Sequence, residues 1–416
     1  MNLLLISAAG SAISFTFFKW KLFGPVDVFS LITILTLFYY IKTVVTHGRS
    51  LARGNVASVT AKSLIIFCVF GLFIVCLSLT SFSTLLPVSN LLYDLSYIPR
   101  QAYYYFFIPL VVLAGITTNA DRTLHFIKKH YKIIFLFVYC SFVLQNSTFA
   151  LGVSASLVLG FLLLLGDERD KVSSALLLLI LELSPIHVGG ESTQLIIRLL
   201  LLAFYCFKDS NSLYRKTRLF GLMGVIACLL VPLIVPSLSH LFDANSSWRL
   251  LYWNDQMLNL VHSYGLGVGY GTSYASLNFV GPVGAIVSGP FAPDAEYSYM
   301  EKLFVVGSHN SFVAVAFRTG VVGIASLLAA IFSQSQRDLY ASSVYNRAAS
   351  FGLISSVVMI CFNVGLESPG YFFVFAACMA IKIAIESGSG QMSCGNTPFC
   401  PELNSRSNRT RKNSIG

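Results

Sequence analysis

Ser246-Ser247-Trp248-Arg249-Leu250-Leu251-Tyr252-Trp253 opens a hydrophilic interlude, residues 239–308, inside a chain that is apolar over most of its length. The interlude runs on through Gly265-Leu266-Gly267-Val268-Gly269-Tyr270-Gly271. It closes on Ser308-His309-Asn310-Ser311, where an apolar segment carrying Gly320-Val321-Val322-Gly323 resumes. Outside the interlude, runs long enough to cross a bilayer recur, each needing about 20 mainly apolar residues. The 416 residues are 55% hydrophobic and 11% charged, with mean hydropathy +0.72; a soluble domain carries about 25% charged residues. The chain therefore reads as an all-α polytopic membrane protein with one large polar loop late in the sequence, not as a set of soluble domains.

About twelve spans are predicted, near 2–18, 23–43, 63–85, 101–118, 132–146, 148–166, 172–187, 191–207, 218–238, 310–333, 349–366 and 368–385. The chain divides accordingly into nine spans over 1–238, the polar loop over 239–308, three spans over 309–385 and a tail over 386–416. Met1–Phe18 lacks the basic flank of a cleavable signal and reads as a retained helix. Orientation follows from Lys and Arg, which favour the cytoplasmic side. With alternating spans, the groups Lys42/Arg49/Arg53/Lys62, Arg122/Lys128/Lys129/Lys132, Lys208/Arg215/Lys216/Arg218 and Arg406/Arg409/Arg411/Lys412 share one side, and both termini lie there. The polar loop falls on the other side, with Arg249 and Lys302 set against Asp243, Asp255, Asp294, Glu296 and Glu301. Lys19 and Lys21 run against this map.

The net charge of +10 is accounted for by these cytoplasmic loops, so nucleic acid is not an expected partner. Seven of the nine cysteines fall in predicted spans, and Cys394 and Cys400 fall in the tail, which gives no disulfide framework. The tail is rich in Ser, Asn, Gly and Arg and is expected to be disordered. Asp294 and Glu296 make a thin ligand set for Mg²⁺, so no metal and no cofactor are expected.

Within the loop, Asn245, Ser246 or Ser247 is positioned to cap a helix running to about His262. A flexible glycine- and aromatic-rich stretch follows. Trp248, Trp253 and the loop tyrosines form either an interfacial aromatic belt or a platform on which sugar rings stack. Arg249 has the bidentate fork that suits a phosphate, or else it is a surface Arg paired with Asp255 or a lipid headgroup. Gly265, Gly267 and Gly269 lack the preceding strand of a dinucleotide fingerprint. They allow backbone N–H groups to approach a ligand, or they serve only as a connection. His309 is a candidate base, with Asn310 orienting it, or the pair caps the next helix. Arg198 lies inside a predicted span, where a charge is costly and marks a functional site or a buried ion pair. Glu182, Glu191, Arg318 and Glu367 are further candidates of this kind.

Arg249 with its aromatics, Gly265-x-Gly267-x-Gly269, His309-Asn310-x-Phe312 and Gly320-x-x-Gly323, in this order around one outer loop of a twelve-span chain, resemble the O-antigen ligase and O-antigen polymerase superfamily of bacterial inner membranes. The motif-bearing likeness covers residues 245–325; elsewhere it is one of topology. One departure is Arg318 ahead of Gly320, where such proteins often carry an acidic residue. The resemblance implies a metal-independent glycosyltransferase in the inner membrane, with its loop in the periplasm. The donor would be an undecaprenyl-diphosphate-linked oligosaccharide. The acceptor would be another lipid-linked repeat unit in a polymerase, or lipid A–core in a ligase. A chain-length regulator is a further expected partner. In that reading His309, Arg249 and Arg198 are catalytic. Asn310, Gly265, Gly267, Gly269, Trp248, Trp253, Glu191 and Glu367 bind substrate. A flippase is the competing class, but transporters tend to show paired broken helices in two repeated halves, and no such pairing is visible.

Overall fold

The structure is a computed structural model that describes residues 21–23, 26–27, 58–80, 86, 88, 91–117, 120–145, 152–167, 169–186, 191–207, 211–234, 244–280, 299–333, 344–363, 365–367 and 369–387. Among these the fold is helical, apart from a short antiparallel hairpin in which β1 (Lys21–Phe23) pairs with β2 (Val26–Asp27). The expected spans 2–18 and 23–43 otherwise lie outside the described residues, as do residues 388–416 of the tail, with Cys394 and Cys400, and Asp294 and Glu296.

The helices are α1 (Val59–Ser78), α2 (Ile98–Ala102), α3 (Tyr104–Thr117), α4 (Ala120–Gln145), α5 (Val153–Gly166), α6 (Lys171–Leu183) and α7 (Glu191–Cys206). They continue with α8 (Asn211–Ile234), α9 (Ala244–His262), α10 (Leu277–Val280), α11 (Tyr299–Val305), α12 (Ser311–Phe332), α13 (Val344–Phe362) and α14 (Pro369–Ser387). Three helical stretches among the described residues are long and apolar enough to cross a membrane: α1, residues 216–234 of α8, and α12. Phe73, Ile133, Phe137, Phe220 and Met223 are large, apolar and exposed, as expected of side chains that face lipid. The chain is a membrane-associated helical protein.

Two expected spans take a different form. The one placed at 101–118 is broken at Tyr103 into α2 and α3, and Pro109 sits inside α3. The one placed at 132–146 is the second half of α4, so Lys128, Lys129 and Lys132 ride on a helix rather than in a loop. Long aliphatic stems let lysines extend a helix beyond the apolar layer while keeping their charge in water.

Among the described residues three apolar cores form, one around α1, α3 and α12, another around α4, α5 and α7, with α13 and α14 contributing to both, and a smaller one within the loop around Tyr252, Tyr274, Phe279, Leu303 and Phe304. At one end of the bundle four helix termini meet. Ser58 and Thr60 donate to the Glu386 carboxylate at 2.5 and 2.7 Å, while Arg218 and Lys382 donate to the Ser333 carbonyl at 2.8 and 3.0 Å. At the other end, Ser78 accepts from Tyr270 N at 2.8 Å, Gln101 accepts from Gly271 N at 2.9 Å, and Tyr103 donates to the Leu366 carbonyl at 2.8 Å. The polar loop therefore seats on the end opposite Arg218, Lys382 and Glu386.

Candidate functional site at the loop–bundle junction

α9 starts at Ala244, so Asn245, Ser246 and Ser247 lie in its first turn. Its inner face buries Tyr252, Met257 and Leu260, and its outer face exposes Leu258 and Val261. Two side chains of the inner face grip the segment that leads into α12. Tyr252 Oη donates to the Val306 carbonyl at 2.8 Å and Trp253 Nε1 to the Ser308 carbonyl at 2.5 Å. Held at both points, the chain turns at His309 with φ of 56°, a left-handed conformation costly for a side-chain-bearing residue. Asn310 then caps α12, its Oδ1 accepting from Phe312 N at 3.0 Å and Val313 N at 3.2 Å. Its Nδ2 is buried without a hydrogen-bond partner.

His309 meets the Trp248 ring edge to face at 5.5 Å, and the Arg249 guanidinium lies 5.7 Å from the same ring. Burial, reinforced by the positive charge of Arg249, pushes the His309 pKa down to about 4. The imidazole is therefore neutral at physiological pH, the form that can accept a proton. Ser311, the next residue on α12, accepts from Leu366 N at 3.0 Å and donates to the Glu367 carboxylate. Burial holds Glu367 above the usual carboxylate range, with the Ser311 hydrogen bond and Arg318 pulling the other way.

The glycine stretch is an ordered wrap, not the flexible connector expected from sequence. Gly265, Gly267, Gly269 and Gly271 all have φ between 76° and 83°. The alternation coils the chain against α12 where that helix breaks at Gly320, φ 67°. The break frees carbonyls that the loop then satisfies: Val268 N donates to Phe317 O at 2.8 Å and Gly269 N to Arg318 O at 3.0 Å. Val321 N returns a bond to Gly265 O at 2.9 Å. The other amides are equally occupied, Gly265 on Leu260 O, Leu266 on Ser263 O, Gly267 on Ser263 Oγ, Tyr270 on Ser78 Oγ and Gly271 on Gln101 Oε1. No amide from Gly265 to Gly271 is left for a ligand, so the binding role expected of Gly265, Gly267 and Gly269 gives way to a structural one.

The wrap encloses Arg318, which is 2% exposed. One face of its guanidinium stacks on Tyr274 at 4.2 Å, and Nη1 donates to Gly269 O at 3.1 Å and to Thr272 Oγ1. Nε and Nη2 have no hydrogen-bond partner; this is the edge that makes paired bonds to an oxyanion. Asp255 accepts from Ser276 N at 3.0 Å and from its hydroxyl at 2.5 Å. Burial raises the Asp255 pKa against those bonds. Asp255 is thus engaged with Ser276, not committed to the surface pair with Arg249 that the sequence left open. Tyr252, Tyr270 and Tyr274 are buried, so they are neither a lipid-facing belt nor an exposed sugar platform; Trp248 and Trp253 are only partly covered and Tyr264 is exposed.

Arg198 is buried among the α5–α7 side chains and donates to the carbonyls of Ser184 at 2.6 Å and Glu182 at 3.3 Å. Its Nε and Nη2 have no hydrogen-bond partner, the same open edge that Arg318 carries. Glu191 opens α7, and its side chain lies outside the described residues. Sequence reasoning passed over Ser311 and Thr272, although Ser311 directly follows the His309-Asn310 pair. Comparisons with protein families, with curated proteins and with solved structures find no match.

Proposed function

We propose that this chain is a metal-independent glycosyltransferase acting on an undecaprenyl-diphosphate-linked glycan at the periplasmic face of a bacterial inner membrane, polymerising surface-polysaccharide repeat units. The observation that carries the reading is His309, neutral, held in a strained turn and flanked by Trp248 and Arg249 where the polar loop joins α12. Strained residues cluster where geometry serves function. The resemblance of residues 245–325 to the O-antigen ligase and polymerase superfamily supplies the reaction class. The twelve-span topology, with both termini cytoplasmic, is part of the proposal. The sorting of Arg218, Lys382 and Glu386 to one end and the loop to the other supports it.

In this mechanism His309 takes the proton of an acceptor hydroxyl. The oxygen attacks the anomeric carbon, the bond from that carbon to the diphosphate oxygen breaks, and undecaprenyl diphosphate departs with the electron pair. A single displacement inverts the anomeric centre. Arg249 offsets the charge that grows on the leaving diphosphate. The same contact tunes the base. Arg249 helps hold His309 near 4, and a diphosphate beside it would cancel that positive field and raise the imidazole toward its working range.

The test is reconstitution in proteoliposomes with a polyprenyl-diphosphate oligosaccharide. Polyprenyl diphosphate release with glycan lengthening is expected, weakened in Arg249→Ala mainly through a higher donor KM and reduced about 10²- to 10⁴-fold in His309→Gln. Transfer only when lipid A–core is added would replace the polymerase by a ligase. Movement of intact donor across the bilayer without release would replace both by a transporter.

A further inference from the structure

His309 keeps its left-handed turn because the chain is held on both sides of it. On one side, Tyr252 and Trp253 of α9 hold the carbonyls of Val306 and Ser308. On the other side the hold comes from the bundle. Ser311, the first residue of α12, accepts from Leu366 N at 3.0 Å and donates to the Glu367 carboxylate. These partners sit in the turn that joins α13 to α14. Tyr103, at the break between α2 and α3, fixes that turn in turn by donating to the Leu366 carbonyl at 2.8 Å.

The Ser311 contact does nothing for the hydrogen bonding of α12 itself. Asn310 already caps the helix through the amides of Phe312 and Val313. What the contact sets is where the start of α12 lies against α13 and α14. Ser311 is fully buried, and the bond to a carboxylate is of the stronger, charge-assisted kind. Arg318, seven residues further along the same face of α12, adds its positive charge to the field at Glu367 and favours the ionised acceptor. A side-chain-bearing residue at positive φ persists only where its surroundings over-determine it. At His309 the surroundings on the far side of the loop are Ser311 and the turn that grips it.

We propose that Glu367 is a positioning residue for His309: acting through the Ser311 hydroxyl, its carboxylate fixes the start of α12 and so the direction of the imidazole. The proposal rests on His309 being the base of the transfer reaction. Glu367 itself exchanges no proton with substrate.

The experiment compares Glu367→Gln, Glu367→Ala and Ser311→Ala with wild type, using the full chain in proteoliposomes. One readout needs no turnover: the rate at which diethylpyrocarbonate modifies His309, measured by peptide mass spectrometry against the exposed His262 of the same chain. The other is kcat and donor KM. The glutamine amide oxygen still accepts from Ser311, so Glu367→Gln should keep the wild-type His309 rate and most of kcat. Glu367→Ala and Ser311→Ala release the anchor. In both, the His309 rate relative to His262 should rise several-fold, and kcat should fall about 10- to 100-fold with donor KM unchanged. Ser311→Ala removes a single oxygen and carries the test if Glu367→Ala fails to insert. An unchanged His309 rate in the alanine variants overturns the proposal. So does a Glu367→Gln variant as impaired as Glu367→Ala, which would make Glu367 an acid or base in its own right. Absence of transfer by the wild type would strike the glycosyltransferase reading instead, and the anchor would then stand or fall on the His309 rates alone.

Discussion

The Trp248 ring stands edge-on to the His309 imidazole, planes at 88° and centroids 5.5 Å apart. The indole covers one side of the imidazole while Arg249, the next residue on α9, brings a positive charge to the same place. Both effects disfavour the imidazolium, and both come from a single helical turn.

The first prediction is a pH dependence of stability. His309 titrates near 4 in the fold and near 6.5 when unfolded. Between those values the unfolded chain holds a proton that the folded chain lacks, so the stability due to this group is present above about 6.5 and lost as pH falls toward 4. Glu367 and Asp255, whose pKa values are raised, act in the opposite sense. The thermal midpoint of wild type relative to His309→Gln isolates the histidine. It should decline as pH falls from 6.5 to 4 and level off below; a flat difference would place His309 in water.

A second prediction concerns Arg249. Arg249→Gln removes a positive charge that depresses His309, so the acid limb of the activity–pH profile should move to higher pH. Residual activity in this variant should be read with excess donor, since the same change weakens diphosphate binding. An unmoved limb would mean that the limb reports another group.

The two remote arginines should separate by assay. Arg198 is held by the carbonyls of Glu182 and Ser184, so Arg198→Met should lower the thermal midpoint and leave the donor KM of the folded fraction unchanged. Arg249→Met should raise the donor KM by ten-fold or more, about 1.4 kcal/mol, with little effect on the midpoint. The reverse pattern would restore Arg198 to the site.

Glycine substitutions test the wrapped loop. A Cβ on Gly320 would lie 2.1 Å from Gly265 O, and one on Gly267 would lie 2.5 Å from Gly320 N, both at positive φ. Gly320→Ala and Gly267→Ala should each cost about 1–3 kcal/mol or more. Gly224, inside α8 with nothing within 4 Å of its would-be Cβ, is the contrast. Gly224→Ala should be neutral or stabilise by about 0.5–1 kcal/mol.

Orientation can be read by an impermeant maleimide on intact cells, in a background without the exposed Cys76, Cys140 and Cys206. Leu266→Cys, at a position 51% exposed on the loop, should label, and Lys216→Cys should not. The opposite result inverts the topology.

Composition and apolar run length by themselves determined that this is a helical membrane protein, because burying or exposing that much apolar surface leaves few alternatives. Most helices between residues 59 and 387 fall within a few residues of the runs that predict them, and α9 was legible from its periodicity. His309, Asn310 and Arg249 were legible as candidates because polar residues at the edge of an apolar run are few. Only the tertiary structure decided which of them meet. Whether a glycine amide faces a ligand or a broken helix depends on Phe317 and Arg318, some 50 residues away, whose carbonyls become acceptors only because Gly320 breaks α12. Whether a buried arginine joins the site depends on which carbonyls lie within reach of its guanidinium. Local spacing is silent on that: the fold set Arg198 against the Ser184 carbonyl and Arg318 against the Gly269 carbonyl.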